Sequence, residues 1–361
     1  MMRKHEKKGL AATFFVICTL FLVWAFSTCY GKTTSYEIWY ERGKLIASFS
    51  LDFLRALGTS PAGDDLVLIT NAAYAQVQGE STYPVVDGLS DILGVRRGRG
   101  NLVEVHSAPW MPLWSALFDK KSGYCVYVEL GENSSAHDLT LKVSTERIDA
   151  DYVISNVHDW IEKQNNKVFG GNEFRIITIA NAVASGAPTL AIRAFEFHDH
   201  YCPGVASGIL TALYLLENFP PIDGGGYFIH GVDPWCKEDA LLTILNATPG
   251  KRQYAVYYPS DTDRARRTPE GQEASTIAYR QREDGSWEGV VLAFDWGNPP
   301  CPGSGRSLDR MLCMDLWYLE QLDHPEQFVK IIKQFELPSG LSPRDWARPG
   351  VDPLKELGLS Q

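Results

Sequence analysis

Apolar and polar positions alternate in several distinct ways along the chain. Gly9 to Phe26 runs for 18 residues without a charge. As a helix it is about 27 Å long, enough for a bilayer core. Arg3, Lys4, Lys7 and Lys8 precede it, against one acid, Glu6. A basic stretch followed by an apolar one predicts a signal peptide or an uncleaved anchor over residues 1–31, with attachment through residues 9–26. It also predicts an exported, periplasmic or otherwise extracytoplasmic body. A buried N-terminal helix is the alternative. Beyond residue 31 the apolar runs are shorter and change period.

One pattern occurs twice. Asp87-Gly-Leu-Ser-Asp-Ile-Leu-Gly-Val-Arg-Arg-Gly98-Arg99 aligns without a gap to Asp239-Ala-Leu-Leu-Thr-Ile-Leu-Asn-Ala-Thr-Pro-Gly250-Lys251. Leu89, Ile92 and Leu93 share one face of a short helix, as do Leu241, Ile244 and Leu245. A helix and a strand precede each copy: Leu51–Leu57 with Leu66–Thr70, and Ala206–Phe219 with Gly226–His230. A strand follows each, Leu102–His106 and Tyr254–Tyr258, and then a hairpin. The first hairpin joins Leu113–Asp119 to Tyr124–Leu130, the second Ser275–Arg282 to Trp287–Phe294. The expected fold is α+β: two related helix/antiparallel-sheet units, residues 45–132 and 190–322, arising by internal duplication. A helical linker, 133–189, joins them through helices near 151–164 and 176–184. In the arm 323–361, Phe328, Ile331, Ile332 and Phe335 fall at helical spacing, before a series of prolines.

Composition narrows the classes. The chain has 361 residues, with 34 Lys and Arg against 44 Asp and Glu, a net charge of -10. Residues 1–31 are net basic, so the body carries -13. An acidic surface makes a nucleic-acid partner a poor expectation. The 45 % hydrophobic content excludes a disordered chain.

The chemistry lies at three predicted helix starts in the second unit. Phe197-His198-Asp199-His200-Tyr201-Cys202-Pro203-Gly204 puts two imidazoles, a thiol and a carboxylate directly before a helix opened by Pro203. In an extended backbone His198, His200 and Cys202 share a face. Asp233-Pro-Trp-Cys236 reads as N-cap to N3 of the next helix, so Cys236 sits in a first turn. Helix N–H groups favour thiolates, and thiolates with imidazoles ligate transition metals. A Cys202–Cys236 disulfide and unrelated thiols are the alternatives. His230 is a further candidate ligand. Cys301, in a second Cys-Pro-Gly, is expected to complete this site or serve another, whereas Cys125 and Cys313 read as core.

These residues carry a resemblance. His198-Asp199-His200-x-Cys202-Pro203-Gly204-x3-Gly208, then Cys236-x2-Asp239-Ala240, Leu245 and Thr248-Pro-Gly-Lys251, resembles the FmdE-like family, named for a component of formylmethanofuran dehydrogenase. The resemblance covers about residues 190–260. It implies an α+β fold, commonly dimeric, with His198, His200, Cys202 and Cys236 forming a metal or active-site cleft. Asp199 stands where glycine is usual. The C-terminal zinc ribbon of some members is missing, and the N-terminal segment has no place beside a cytoplasmic namesake.

Together these readings predict a metal-binding protein, with zinc first and haem or iron after it. Asp199 and Asp239 are candidate bases or supports of the ligands. Arg99 and Lys251, after the loop glycines, are candidates for holding an anionic group. The pocket either acts on a small molecule or serves as a metal or haem carrier, sensor or electron-transfer accessory; a Cys202–Cys236 thiol redox protein is the third reading. Whether the protein is an enzyme stays open, and a homodimer is expected.

Overall fold

The computed structural model describes residues 35–361 except Glu132, so the predicted export segment 1–31 lies outside the described residues. Helix α1 (Ser35–Ala56) buries Trp39, Gly43, Ile46, Ser50 and Leu54 along one face. Strand β1 (Leu66–Thr70) follows, then a small hairpin of β2 (Gln76–Val77) and β3 (Glu80–Ser81). Helix α2 (Pro84–Leu93) opens on a proline and closes at Gly94, whose φ of 72° suits a residue without a side chain. Strands β4 (Leu102–Glu104), β5 (Trp114–Asp119), β6 (Tyr124–Leu130) and β7 (Leu141–Arg147) complete a sheet of order β4-β1-β5-β6-β7.

A helical run comes next: α3 (Ala150–Ser155), α4 (Val157–Asn165), α5 (Glu173–Ala184), α6 (Thr189–His198) and α7 (Pro203–Asn218). The chain then alternates again, through β8 (Tyr227–Val232), α8 (Lys237–Ile244) and β9 (Tyr254–Tyr257). Short helices α9 (Asp261–Ala265) and α10 (Pro269–Glu273) lead to β10 (Ala274–Gln281) and β11 (Trp287–Phe294). Helix α11 (Leu308–Glu320), strand β12 (Val329–Glu336) and two single turns, α12 (Pro343–Trp346) and α13 (Pro353–Glu356), end it. The second sheet has the order β12-β11-β10-β8-β9. β1 pairs parallel with β4 and β8 with β9, while every other pair in the two sheets is antiparallel. The fold is therefore mixed α+β, and its two five-stranded sheets share one strand order and sense.

Alternation along the strands divides three cores. Val67 and Ile69 point into the central core, Leu66 and Leu68 into the core under α1 and α2. In the second sheet Tyr227 and Ile229 face the central core, while Phe228 and Val232 face a third one with Trp346 and Leu354. Helices α5, α6, α7 and α11 thus lie between the sheets, where the ligand-type residues are found. No described helix is long and apolar enough to cross a membrane.

In both halves a helix pair is set by backbone contact. A Cβ on Gly43 of α1 would stand 2.3 Å from the Val85 carbonyl oxygen of α2. A Cβ on Gly208 of α7 would stand 2.4 Å from the Lys237 carbonyl oxygen of α8. Val85 and Lys237 precede Asp87 and Asp239 by the same two positions in the repeated pattern. The same contact thus recurs at equivalent places. Four residues before each glycine the halves differ: Trp39, fully buried, against Gly204.

Two expectations change. The segment with Phe328, Ile331, Ile332 and Phe335 is strand β12, not a helix, and pairs with β11. Four apolar residues cannot separate a helical period from a strand's, and the free edge of β11 decides it. The stretch 133–189 holds α3, α4 and α5 as expected, but begins with β7 on the edge of the first sheet.

Gly208→Ala should lower stability by about 1–3 kcal/mol through overpacking against α8. Gly98→Ala, where an added Cβ meets nothing within 4 Å, should leave it unchanged. Denaturant unfolding of the two variants compares them.

Candidate metal centre

One helix end and two helix starts bring four donors together. Helix α6 ends at His198, and Asp199 follows in the left-handed region, with φ 76°. Asp is among the few side chains that accept this conformation. The turn sends His200 and Tyr201 back toward α7, whose N-cap is Cys202 in extended conformation. The stretch is thus not extended throughout, as the His-x-His-x-Cys spacing suggests. A helix end and one left-handed residue achieve the convergence instead. Cys236 comes from the far side as the residue before α8. It is the N-cap itself rather than N3: Asp233 has a φ of 49° and pairs with Arg264 and Arg267, so it does not cap.

The donor atoms of His198, His200, Cys202 and Cys236 all lie within 4.8 Å of one another. In a tetrahedral zinc site the donors stand about 3.3–3.8 Å apart. A small inward shift would therefore seat an ion. Gly204 permits this convergence, because a Cβ there would lie 2.8 Å from Cys236 Cβ. Cys202 and Cys236 are both free thiols, not a disulfide.

Two carboxylates hold the imidazoles. Asp239 Oδ2 lies 2.7 Å from His198 Nδ1, and Asp199 Oδ1 lies 2.7 Å from His200 Nδ1. Each ring therefore has Nε2 left for a ligand. His198 Nε2 is buried against the Cys236 sulfur and has no oxygen or nitrogen partner. The two rings are 4.4 Å apart at their centres, and Phe174 packs its edge against His200. Arg175 donates to the Asp199 backbone oxygen at 2.9 Å and pairs with its carboxylate at 2.7 Å. It thereby fixes both the turn and the support of His200. Asp199 and Asp239, the candidate bases, are thus engaged in orienting the rings.

Charge among the donors without an ion follows from these contacts. Burial opposes charging His198, but Asp239 and the neighbouring Cys236 prevail and raise its pKa to about 9. Cys202 and His198 together bring Cys236 down to about 4, against its own burial. Cys202 is pushed up by Cys236 and by burial. One thiolate therefore faces one imidazolium when no metal is bound. Burial and the bonds from His200 and Arg175 leave Asp199 below its usual value, the bonds outweighing the burial.

Other candidate residues lie elsewhere. Cys301 is bonded to Cys313, twelve residues on, so neither joins the centre and Cys313 is not a free core thiol. Cys125 is buried in the central core. His230 is buried in β8 outside the donor group, and burial lowers its pKa to about 4. Arg99 pairs with Asp64 at 2.7 Å, and Lys251 folds back on Asn246. Neither belongs to the donor group. Two residues that the motif does not reveal join its surroundings. Arg175 is one. Asp315 of α11 is the other: it is fully buried, neither oxygen has a partner, and burial raises its pKa well above the usual carboxylate value. A charged residue within the apolar run Phe174–Ile177 is the only sequence signal for Arg175.

Peptide mapping without reduction should recover Cys301 linked to Cys313, and Cys125, Cys202 and Cys236 unlinked. A Cys202–Cys236 peptide would contradict the site as described.

No curated protein matches the chain. Residues 197–301 match the family model described as FmdE, Molybdenum formylmethanofuran dehydrogenase operon. The match spans all four donors, Asp239, and strands β8 to β11. Residues 197–301, the segment that builds the centre, are thus similar to the FmdE family.

Proposed function

We propose that this is an exported FmdE-like metalloprotein that holds one transition-metal ion, zinc first, and binds a small ligand beside it. The observation that carries the reading is the convergence of the His198, His200, Cys202 and Cys236 donor atoms within 4.8 Å, while Asp239 fixes the opposite ring nitrogen of His198. Carboxylate–imidazole–metal arrangements set the tautomer and raise ligand basicity. Two sulfurs and two nitrogens suit zinc, and iron or copper after it.

Four protein donors complete a tetrahedral shell. This favours a metal-holding role, because a water-activating site keeps one position open. Asp199 and Asp239 are also committed to the imidazoles, which leaves no free base in the group. The envelope carrier or sensor is therefore the preferred form of the proposal. Catalysis would require a donor to leave, and His200 is the more exposed imidazole. The thiol redox reading is weaker, since the Cys236 thiolate faces an imidazole that a metal also uses.

Export is supported by the basic and apolar order of residues 1–26 and by the Cys301–Cys313 bond, which suits an oxidising compartment. The matching order and sense of the two sheets support an internal duplication. In α1, ahead of the first unit's expected start at residue 45, Trp39 takes the place of Gly204, with its Nε1 bonded to Glu80 at 2.8 Å. That unit then serves as a scaffold. The dimer that the family resemblance implies is retained as part of the proposal.

Elemental analysis of the full chain should find one metal per protein. Cys236→Ser and His198→Ala should remove it. Asp239→Asn should retain it with about 10- to 100-fold lower affinity in a chelator competition. Metal-free protein whose stability is unchanged by Cys202→Ser and Cys236→Ser would overturn the reading.

A further inference from the structure

A second feature adjoins the centre. The segment 235–237 and the first turns of α7 separate the donors from a cleft of about 530 Å³, lined by Ser207, Trp235 and Lys237 on that side. Cys236 therefore sends its thiol to the centre while both its neighbours in sequence face the cleft. The opposite wall comes from the ends of β10 and β11 and from β12, with Glu273, Phe294, Trp296 and Lys330.

The wall chemistry is selective. Trp235 and Trp296 meet edge to face at 5.2 Å, and Phe294 meets Trp296 the same way at 4.9 Å. Three rings form one corner, yet Trp235 remains 43 % and Trp296 37 % exposed. Large exposed indoles inside a concavity are unusual in a soluble surface and mark binding sites. The cations of the wall are already neutralised. Lys237 is buried, donates to the Val232 carbonyl at 3.1 Å and pairs with Glu238. Lys330 pairs with Asp295 at 2.6 Å. Asp233 is held by Arg264 and Arg267. Glu273 forms no ion pair among the described residues; Lys330, already paired with Asp295, feels its charge without contacting it.

Aromatic faces attract cations through their ring quadrupoles, and a nearby carboxylate adds to this. From this corner we infer that the cleft binds a small organic cation, an alkylated ammonium or a positively charged ring, between Trp235, Trp296 and Glu273. The inference rests on the proposed ligand-holding role and names the class of ligand. An anion would meet Glu273 and find no free cation. The -13 charge of the body favours the approach of a cation in general.

The test is calorimetric titration of the full-length, metal-loaded protein with benzyltrimethylammonium, with benzyl alcohol and benzoate as neutral and anionic controls. Saturable one-site binding of the cation is expected, with neither control binding comparably. Glu273→Gln and Trp296→Ala should each weaken it by about two- to thirtyfold. Both variants should keep their metal content. Trp235→Leu provides a second ring variant if Trp296→Ala does not fold. No saturation with the cation, equal binding of benzyl alcohol, or full affinity in Glu273→Gln would overturn the inference. Because metal content is read separately, cation binding by a metal-free preparation would refute only the metal reading. A metal-loaded protein indifferent to the cation would refute only this one.

Discussion

The close approach of α7 to α8 is the constraint on which the centre depends. Gly208 lets the α7 backbone lie against the Lys237 carbonyl, and Gly204, one turn earlier, leaves room for Cys236. Any side chain at either position would push α8 outward and carry Cys236 away from Cys202. Two helix N-termini are thereby held side by side. Their unpaired N–H groups make the region electropositive, which suits thiolates. The equivalent helix contact in the first half, at Gly43, shows that the packing does not by itself require a metal. There the neighbouring position carries Trp39, and the space is filled by an indole instead of by ligands.

Support of the imidazoles comes from a different principle. Both histidines use Nδ1 on a carboxylate, one local and one distant in sequence, so both present the same nitrogen to the centre. Asp199 performs two tasks, taking the left-handed turn and holding His200, and Arg175 anchors it in both. Glycine at that position would make the turn with less strain but would lose the carboxylate. Asp315 is fully buried on α11, and burial disfavours a charge there.

The donor set was legible in the sequence because its chemistry is local. Three donors fall within five residues, and the fourth follows the recurring Pro-initiated helix pattern. Asp239 was legible as an acid one turn after Cys236. The path of the chain was not legible. His-x-His-x-Cys fits an extended strand as well as a helix end, and only the packing of α6 on α8 selects the latter. The Cys301–Cys313 link escaped for another reason: spacing alone does not choose among possible pairings. Strands β7 and β12 were missed because their few apolar residues carry little period, while the sheet edges they satisfy are long-range features. The repeat in 87–99 and 239–251 did expose the common order of helix, strand and hairpin in both halves.

Whether His198, His200, Cys202 and Cys236 close around one ion is decided by X-ray absorption at the metal edge of zinc-loaded protein. Two sulfurs at about 2.3 Å and two nitrogens at about 2.0–2.1 Å are expected, with one sulfur lost in Cys236→Ser. A shell of oxygen and nitrogen without sulfur would show that the four side chains do not form the centre.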